Sequence, residues 1–395
     1  MNFKSTNLKA ILFALAILFA GAIHLSATIG FMQKWWPQAT QMSPVATATT
    51  NVIQVALLLD TSNSMDGLIE QAKSQLWKIL NELARARKEG QAPELQIALY
   101  EYGNSRLAIT DGYIRQVQGF TSDMDLLSEK LFSLTTSGGD EYCGQVIHTA
   151  LNELKWNIHS DALRLIYIAG NEPFTQGHLP YAQACAWAVD KDVIVNTIFC
   201  GDYEEGIQVQ WQSGAKLGKG AYSNIDHNAV TTFIETPYDE KITQLNQQLN
   251  ATYLAYGAQG QDFKMNQTAQ DQNALKYSKA NVADRALFKS SANYSNAQWD
   301  LVDAYKKDRK ILTQQKENLP DSLKQLSLPD LEKEVQQLMQ ERERINEKIR
   351  KLGDERRAYL ETEQANRTGD TTNSLEGSIL KALREQARQK GFVIE

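Results

Sequence analysis

The run VIQVALLLDTSNS, Val52 to Ser64, sets the frame for the whole chain. Its first eight residues are almost wholly apolar and stop at Asp60, the pattern of a central parallel strand buried on both faces. Leu68, Ala72, Leu76, Ile79, Leu80 and Leu83 then recur at helical spacing between Leu68 and Arg87, so a helix follows the strand. The alternation continues downstream, with strands expected at 95–102, 113–117, 163–169 and 193–199 and helices at 123–132, 144–155, 181–189 and 208–217. Repeated strand-helix units predict an α/β fold, a doubly wound and mostly parallel sheet. Its functional loops should lie at the carboxyl ends of the strands.

Those loops carry chemistry. Asp60, Ser62 and Ser64 stand at alternate positions of the turn leaving the first strand. One carboxylate and two hydroxyls on one side suit a hard divalent cation, Mg²⁺, Mn²⁺ or Ca²⁺. This D-x-S-x-S pattern resembles the metal-ion-dependent adhesion site of von Willebrand factor type A domains, and the resemblance spans residues 51–235. It implies two further ligands, a threonine from a glycine-rich loop and an aspartate from a later strand end. It also implies an ion whose last position is completed by water or by an acidic side chain of a partner.

Here the glycine-rich loop reads TTSGGDEYCG, residues 135–144, and alignment on Gly138 and Gly139 sets Asp140 where the threonine would stand. The later strand ends IAGNE, residues 168–172, with Gly170 in the aspartate's place and Asn171 or Glu172 as substitutes. The expected metal set is therefore Asp60, Ser62, Ser64 and Asp140. The competing explanation is that Asp60 and the serines only cap the following helix, since such residues are the preferred N-caps.

Composition narrows the function classes. With 42% hydrophobic and 22% charged residues the chain is neither wholly disordered, collagen-like nor a polytopic membrane protein. A net charge of −6 gives no general attraction to nucleic acid. The histidines show no zinc spacing and no nucleophile elbow is present. GAKLGKG, residues 214–220, lacks P-loop spacing and reads as a helix stop. Cys143, Cys185 and Cys200 are too few for a disulfide framework; one pair could brace the loops, or each could serve as a small buried hydrophobe.

The N-terminus, with Lys4 and Lys9 before the apolar run 10–22, has the layout of a signal peptide over residues 1–22, or of an uncleaved membrane anchor reaching to about residue 31. Both place the rest outside the cytoplasm, secreted or periplasmic, after a spacer at 37–50. Beyond the sheet, residues 236–320 read as helices and a polar linker, 257–275. Leu328, Val335, Arg342, Ile349 and Arg356, with Leu331, Leu338, Ile345, Leu352 and Tyr359, then recur every seven residues. That is an a/d seam over 328–366, a coiled coil that either forms a homodimer or pairs with the helix at 281–313 of its own chain. A short amphipathic helix closes the chain within 374–395.

The sequence thus points to an exported, non-enzymatic protein that binds a protein or glycan partner through a divalent-metal site held on a helical stalk. Two other readings stand beside it: a structural envelope protein that oligomerises with an empty site, and a metal-assisted hydrolase.

Overall fold

The computed structural model describes residues 51–225, 235–368 and 375–394. The expected signal peptide or anchor and the spacer lie outside the described residues. Among those described, no helix is long and apolar enough to cross a membrane.

Eight strands and fourteen helices follow one another in the described chain. The first half contains β1 (Val52–Asp60), α1 (Ile69–Ala84), β2 (Ala86–Arg87), β3 (Glu94–Tyr102), β4 (Ile114–Thr121), α2 (Met124–Ser133), α3 (Cys143–Glu153), β5 (Leu163–Gly170), α4 (Tyr181–Asp190), β6 (Ile194–Phe199), α5 (Tyr203–Gln208), α6 (Trp211–Leu217) and β7 (Lys219–Asn224). The second half contains α7 (Asp239–Ala251), α8 (Gly260–Tyr277), α9 (Lys279–Lys289), α10 (Leu301–Lys307), α11 (Ile311–Gln314), α12 (Asp321–Lys324), α13 (Leu328–Thr368), α14 (Leu375–Gln389) and β8 (Val393–Ile394).

Six strands form one sheet in the order β4-β3-β1-β5-β6-β7, parallel except for the β4 edge. Every residue of β1 is buried. Its alternate side chains feed two cores: Ile53, Val55, Leu57 and Leu59 pack against α1 and α2, and Ala56 and Leu58 against α3 and α4. The predicted doubly wound sheet is therefore observed. Of the six strands of this sheet, β7 escaped the sequence reading. Gly220 lies in it because a Cβ there would sit 2.0 Å from the Val195 carbonyl oxygen of β6, so GAKLGKG both ends a helix and starts an edge strand.

Residues 257–275 are not a linker: most of them form α8, whose buried face is made of Gln267, Gln270, Asp271 and Ala274. The helix expected at 281–313 is broken into α9, α10 and α11. The chain boundary expected at 235 also shifts. Ile379, Leu383, Ala387 and Phe392 belong to the same core as β1 and α1, and β8 pairs with β2. The C-terminal helix is thus a wall of the sheet domain, and residues 235–368 form a helical lobe inserted before it.

The long helix forms as expected, at 41 residues. Ser327 starts it, exchanging hydrogen bonds with Asp330. Its seam is not left bare: other segments of the chain cover it. Ile345 and Ile349 pack with Ile242, Leu249 and Ala283, and Leu331 and Val335 pack with Leu301 and Tyr305. The two seam arginines find acids in the same lobe: Arg342 lies 2.7 Å from both Asp300 and Asp303, and Arg356 2.6 Å from Asp239 and 2.8 Å from Asp284. Nor is the lobe a stalk held away from the sheet, since Phe288 of α9 enters the sheet-domain core beside Trp77.

Gly353, odd inside a helix, is explained by close approach: a Cβ there would lie 2.1 Å from Leu287 Cδ2. Gly353→Val is expected to lower stability by about 1–3 kcal/mol through overpacking, outweighing a propensity gain of a few tenths. A denaturation midpoint at or above that of the parent would show that Leu287 swings aside without cost.

Candidate metal centre

The site stands where β1 and β5, at the middle of the sheet, release their chains. Asp60 ends β1 at 0% exposure. Its Oδ1 accepts the Ser62 backbone N–H at 2.7 Å, the turn that aims the following hydroxyls. Ser62 and Ser64 Oγ lie 2.7 Å apart, and Ser64 Oγ donates to Asn171 Oδ1 at 2.9 Å. The capping explanation fails on this geometry: neither the short 3₁₀ turn after Ser62 nor α1 receives a side-chain cap.

The glycine-rich loop is drawn onto this turn through Ser137 N–H, which donates to Thr61 O at 2.9 Å. Thr136 also donates to Asp66. Gly139 sits against the Gly103 backbone, where a Cβ would come 2.5 Å from Gly103 O. The loop does not deliver Asp140. That side chain is exposed and accepts from the Tyr142 hydroxyl at 3.0 Å. Glu141 is delivered instead, buried, with its backbone N–H bonded to Gln176 Oε1 at 2.5 Å. The cause is the extended chain between Gly139 and α3, which alternates sides: Glu141 and Cys143 turn inward, Asp140 and Tyr142 outward. That alternation, ending on a helix whose first residue is apolar, is the signal in the sequence that favours Glu141.

At the other strand end, Gly170 takes the place where the resemblance implies an aspartate, and the structure shows why no side chain fits. A Cβ there would lie 2.5 Å from Tyr102 Oη and 3.1 Å from Asp60 Oδ2. Tyr102, fully buried, donates to Ala169 O at 3.0 Å. Asn171 acts as a fastener, with Nδ2 donating to Ser64 O at 3.0 Å, and Glu172 stays half-buried nearby.

The electrostatics follow from burial. Burial pushes the Asp60 carboxyl up to about 7, against the opposing hydrogen bonds of Ser62 and the Asn171 backbone, with the Glu172 charge adding to the rise. Glu141 is pushed up to about 8 by burial first and by the Asp60 charge next. Asp60 Oδ2 is buried with no hydrogen-bond partner among the described residues. An orphaned carboxylate oxygen costs free energy unless a cation or donor meets it. Gly103 opens the space beside the other oxygen, since a Cβ there would fall 2.8 Å from both Asp60 Oδ1 and Glu141 Cγ.

Asp60, Ser62, Ser64 and Glu141 therefore fit a divalent cation, and Asp140 does not join them. Among the described residues no cluster of three His, Cys, Asp or Glu side chains has metal-holding geometry. A cation here would rest on two carboxylates and on hydroxyls. The three cysteines take no part: all are buried and free, with Cys143 and Cys185 in one core and Cys200 in the other.

No protein-family model matches the sequence, nor does any curated protein. Among solved structures, the chain is similar to BatB of Bacteroides thetaiotaomicron, at 18% identity, with a TM-score of 0.34, covering 44% of this chain and 90% of that one. It is also similar to the SpRpn10 von Willebrand factor type A domain, at 16% identity, with a TM-score of 0.35, covering 44% of this chain and 88% of the other. A third similarity is to proximal thread matrix protein 1 from the mussel byssus, which has a zinc-occupied metal-ion-dependent adhesion site. Identity there is 12% and the TM-score 0.33, over 46% of this chain and 43% of that protein. Such scores carry no argument about function, and the site stands on this chain's own geometry.

Proposed function

We propose that this chain is a non-enzymatic binding protein whose contact point is a divalent cation held by Asp60, Ser62, Ser64 and Glu141. The observation that carries the reading is the orphaned Oδ2 of buried Asp60, next to Gly170, in a carboxylate whose Oδ1 shares with Glu141 the space that Gly103 keeps open. When bound, the cation supplies a positive contact for an oxygen of a partner. The chain's own residues do the rest: the Ser62 N–H orients Asp60, Asn171 holds the Ser64 loop, and Gln176 fixes the backbone that carries Glu141. The apolar run at 10–22 supports a location outside the cytoplasm.

Titration calorimetry of Mg²⁺ and Mn²⁺ into the full chain tests this. Asp60→Ala is expected to abolish the heat, and Glu141→Gln to weaken binding at least tenfold, about 1.4 kcal/mol. Asp140→Ala should change affinity by less than about twofold, because its carboxylate is solvated and faces Tyr142. No heat with either ion, or a larger loss in Asp140→Ala than in Glu141→Gln, would overturn the assignment.

A further inference from the structure

Beside this centre a groove of about 430 Å³ runs between β4 and α3. Alternation along β4 turns Ile114 and Gln116 toward it, while Arg115 between them pairs with buried Glu101 on the other side. Thr149 and Glu153, four residues apart on α3, form the facing wall. A 3₁₀ turn ending at Asp111 closes one side and exposes Ile109 at 66%.

Two carboxylates and one imidazole, that of His178, line this groove. Asp111 and Glu153 are both exposed, and no lysine or arginine lines the space. Glu153 is also held in place. Gln116 donates to Tyr100 Oη at 2.6 Å, and the hydroxyl of fully buried Tyr100 donates to Glu153 at 3.0 Å. Tyr142, which lines the groove, follows Glu141 in the chain, and its hydroxyl donates to Asp140. At the candidate centre two carboxylates bring a divalent ion close to neutral, which weakens its hold on an incoming carboxylate.

We propose that this groove receives a lysine- or arginine-bearing segment of a protein partner. The basic head pairs with Asp111 and Glu153, and its apolar stem lies along Ile109 and Ile114. This deepens the reading of the same face as a partner-binding surface and rests on it. A free polyamine would satisfy the acids but leave the exposed isoleucine uncovered.

The test is fluorescence anisotropy of the full chain with a labelled lysine-serine peptide, a glutamate-serine peptide of equal length, and spermidine as competitor, with and without Mg²⁺. The lysine peptide is expected to bind and the glutamate peptide not to. Asp111→Asn and Glu153→Gln should each weaken binding about three- to fivefold, the scale of one exposed ion pair. Both replacements are isosteric at exposed positions, so the fold is retained. Glu334→Gln and Glu347→Gln, exposed on α13, should leave binding unchanged.

Equal losses in the α13 variants, a preference for the glutamate peptide, or spermidine binding as tightly as the peptide would overturn the proposal. Lysine-peptide binding that depends on Asp111 in a chain giving no Mg²⁺ heat supports the groove and sinks the cation assignment alone. Mg²⁺ heat without a lysine-peptide preference sinks the groove alone.

Discussion

Ending the chain at residue 374 is expected to unfold the sheet domain, not merely to trim a tail. The C-terminal helix α14 and the turn after it bury Ile379, Leu383 and Phe392 at 3%, 0% and 1% exposure against β1 and α1. At roughly 1.5–3 kcal/mol for each large apolar side chain, their removal costs about 5–9 kcal/mol, comparable to the whole stability of an ordinary domain. Polar contacts are lost with them. Gln386 and Asn196 of β6 exchange two side-chain hydrogen bonds, Arg384 pairs with Glu82 of α1, and β8 leaves β2 unpaired. The truncated chain should therefore show no cooperative near-ultraviolet circular dichroism melt. In the full chain Leu383→Ala alone should cost about 2–5 kcal/mol. A truncated chain that melts as the parent does would mean α14 only decorates the sheet.

This arrangement also shows what periodicity reveals and what it leaves out. The alternation in β1 and the apolar stripe of α1 were legible because each element presents its own apolar pattern to the sheet. The strand β7 was not legible, being a short edge with a glycine at its second position and little apolar content. Helix α8 was missed for the opposite reason. Its buried positions are amides and an acid, Gln267, Gln270 and Asp271, which no apolar stripe betrays. The heptad seam over 328–366 was right in register but silent about its partner, because a seam records only that one face is covered. Its two arginines held the answer, and their acids, Asp239, Asp284, Asp300 and Asp303, lie too far away in sequence to be paired by spacing. At the candidate centre, D-x-S-x-S and Asp60 were legible. The acid that the structure turns inward is Glu141, one residue after the expected Asp140, since alignment on a glycine pair does not say which neighbour an extended chain buries.

The polar face of α8 has a measurable counterpart in Asp271, the second large expected effect. Its carboxylate lies 2.6 Å from Arg285 and 3.0 Å from Lys289, with Asn246 and Asn250 donating at 2.8 and 2.6 Å. Arg285 also pairs with Asp125 of α2, so the cluster joins the helical lobe to the sheet domain. Asp271→Ala leaves two buried cations sharing one carboxylate, and is expected to cost about 3–5 kcal/mol. Replacing Lys289 by Met in the same chain should recover part of that loss, because the uncompensated charge goes with it. The pH dependence fixes the mechanism. Burial alone would raise the Asp271 pKa, but Lys289 and Arg285 hold it well below its ordinary value of 3.8. A depressed folded-state pKa means the contribution is complete above the unfolded value and fades as pH falls below it. The stability gap between the parent and Asp271→Asn should therefore be constant near neutrality and narrow below about pH 4. A gap that stays the same down to pH 2, or one below about 1 kcal/mol at pH 7, would show that Asp271 acts through packing and not through its charge.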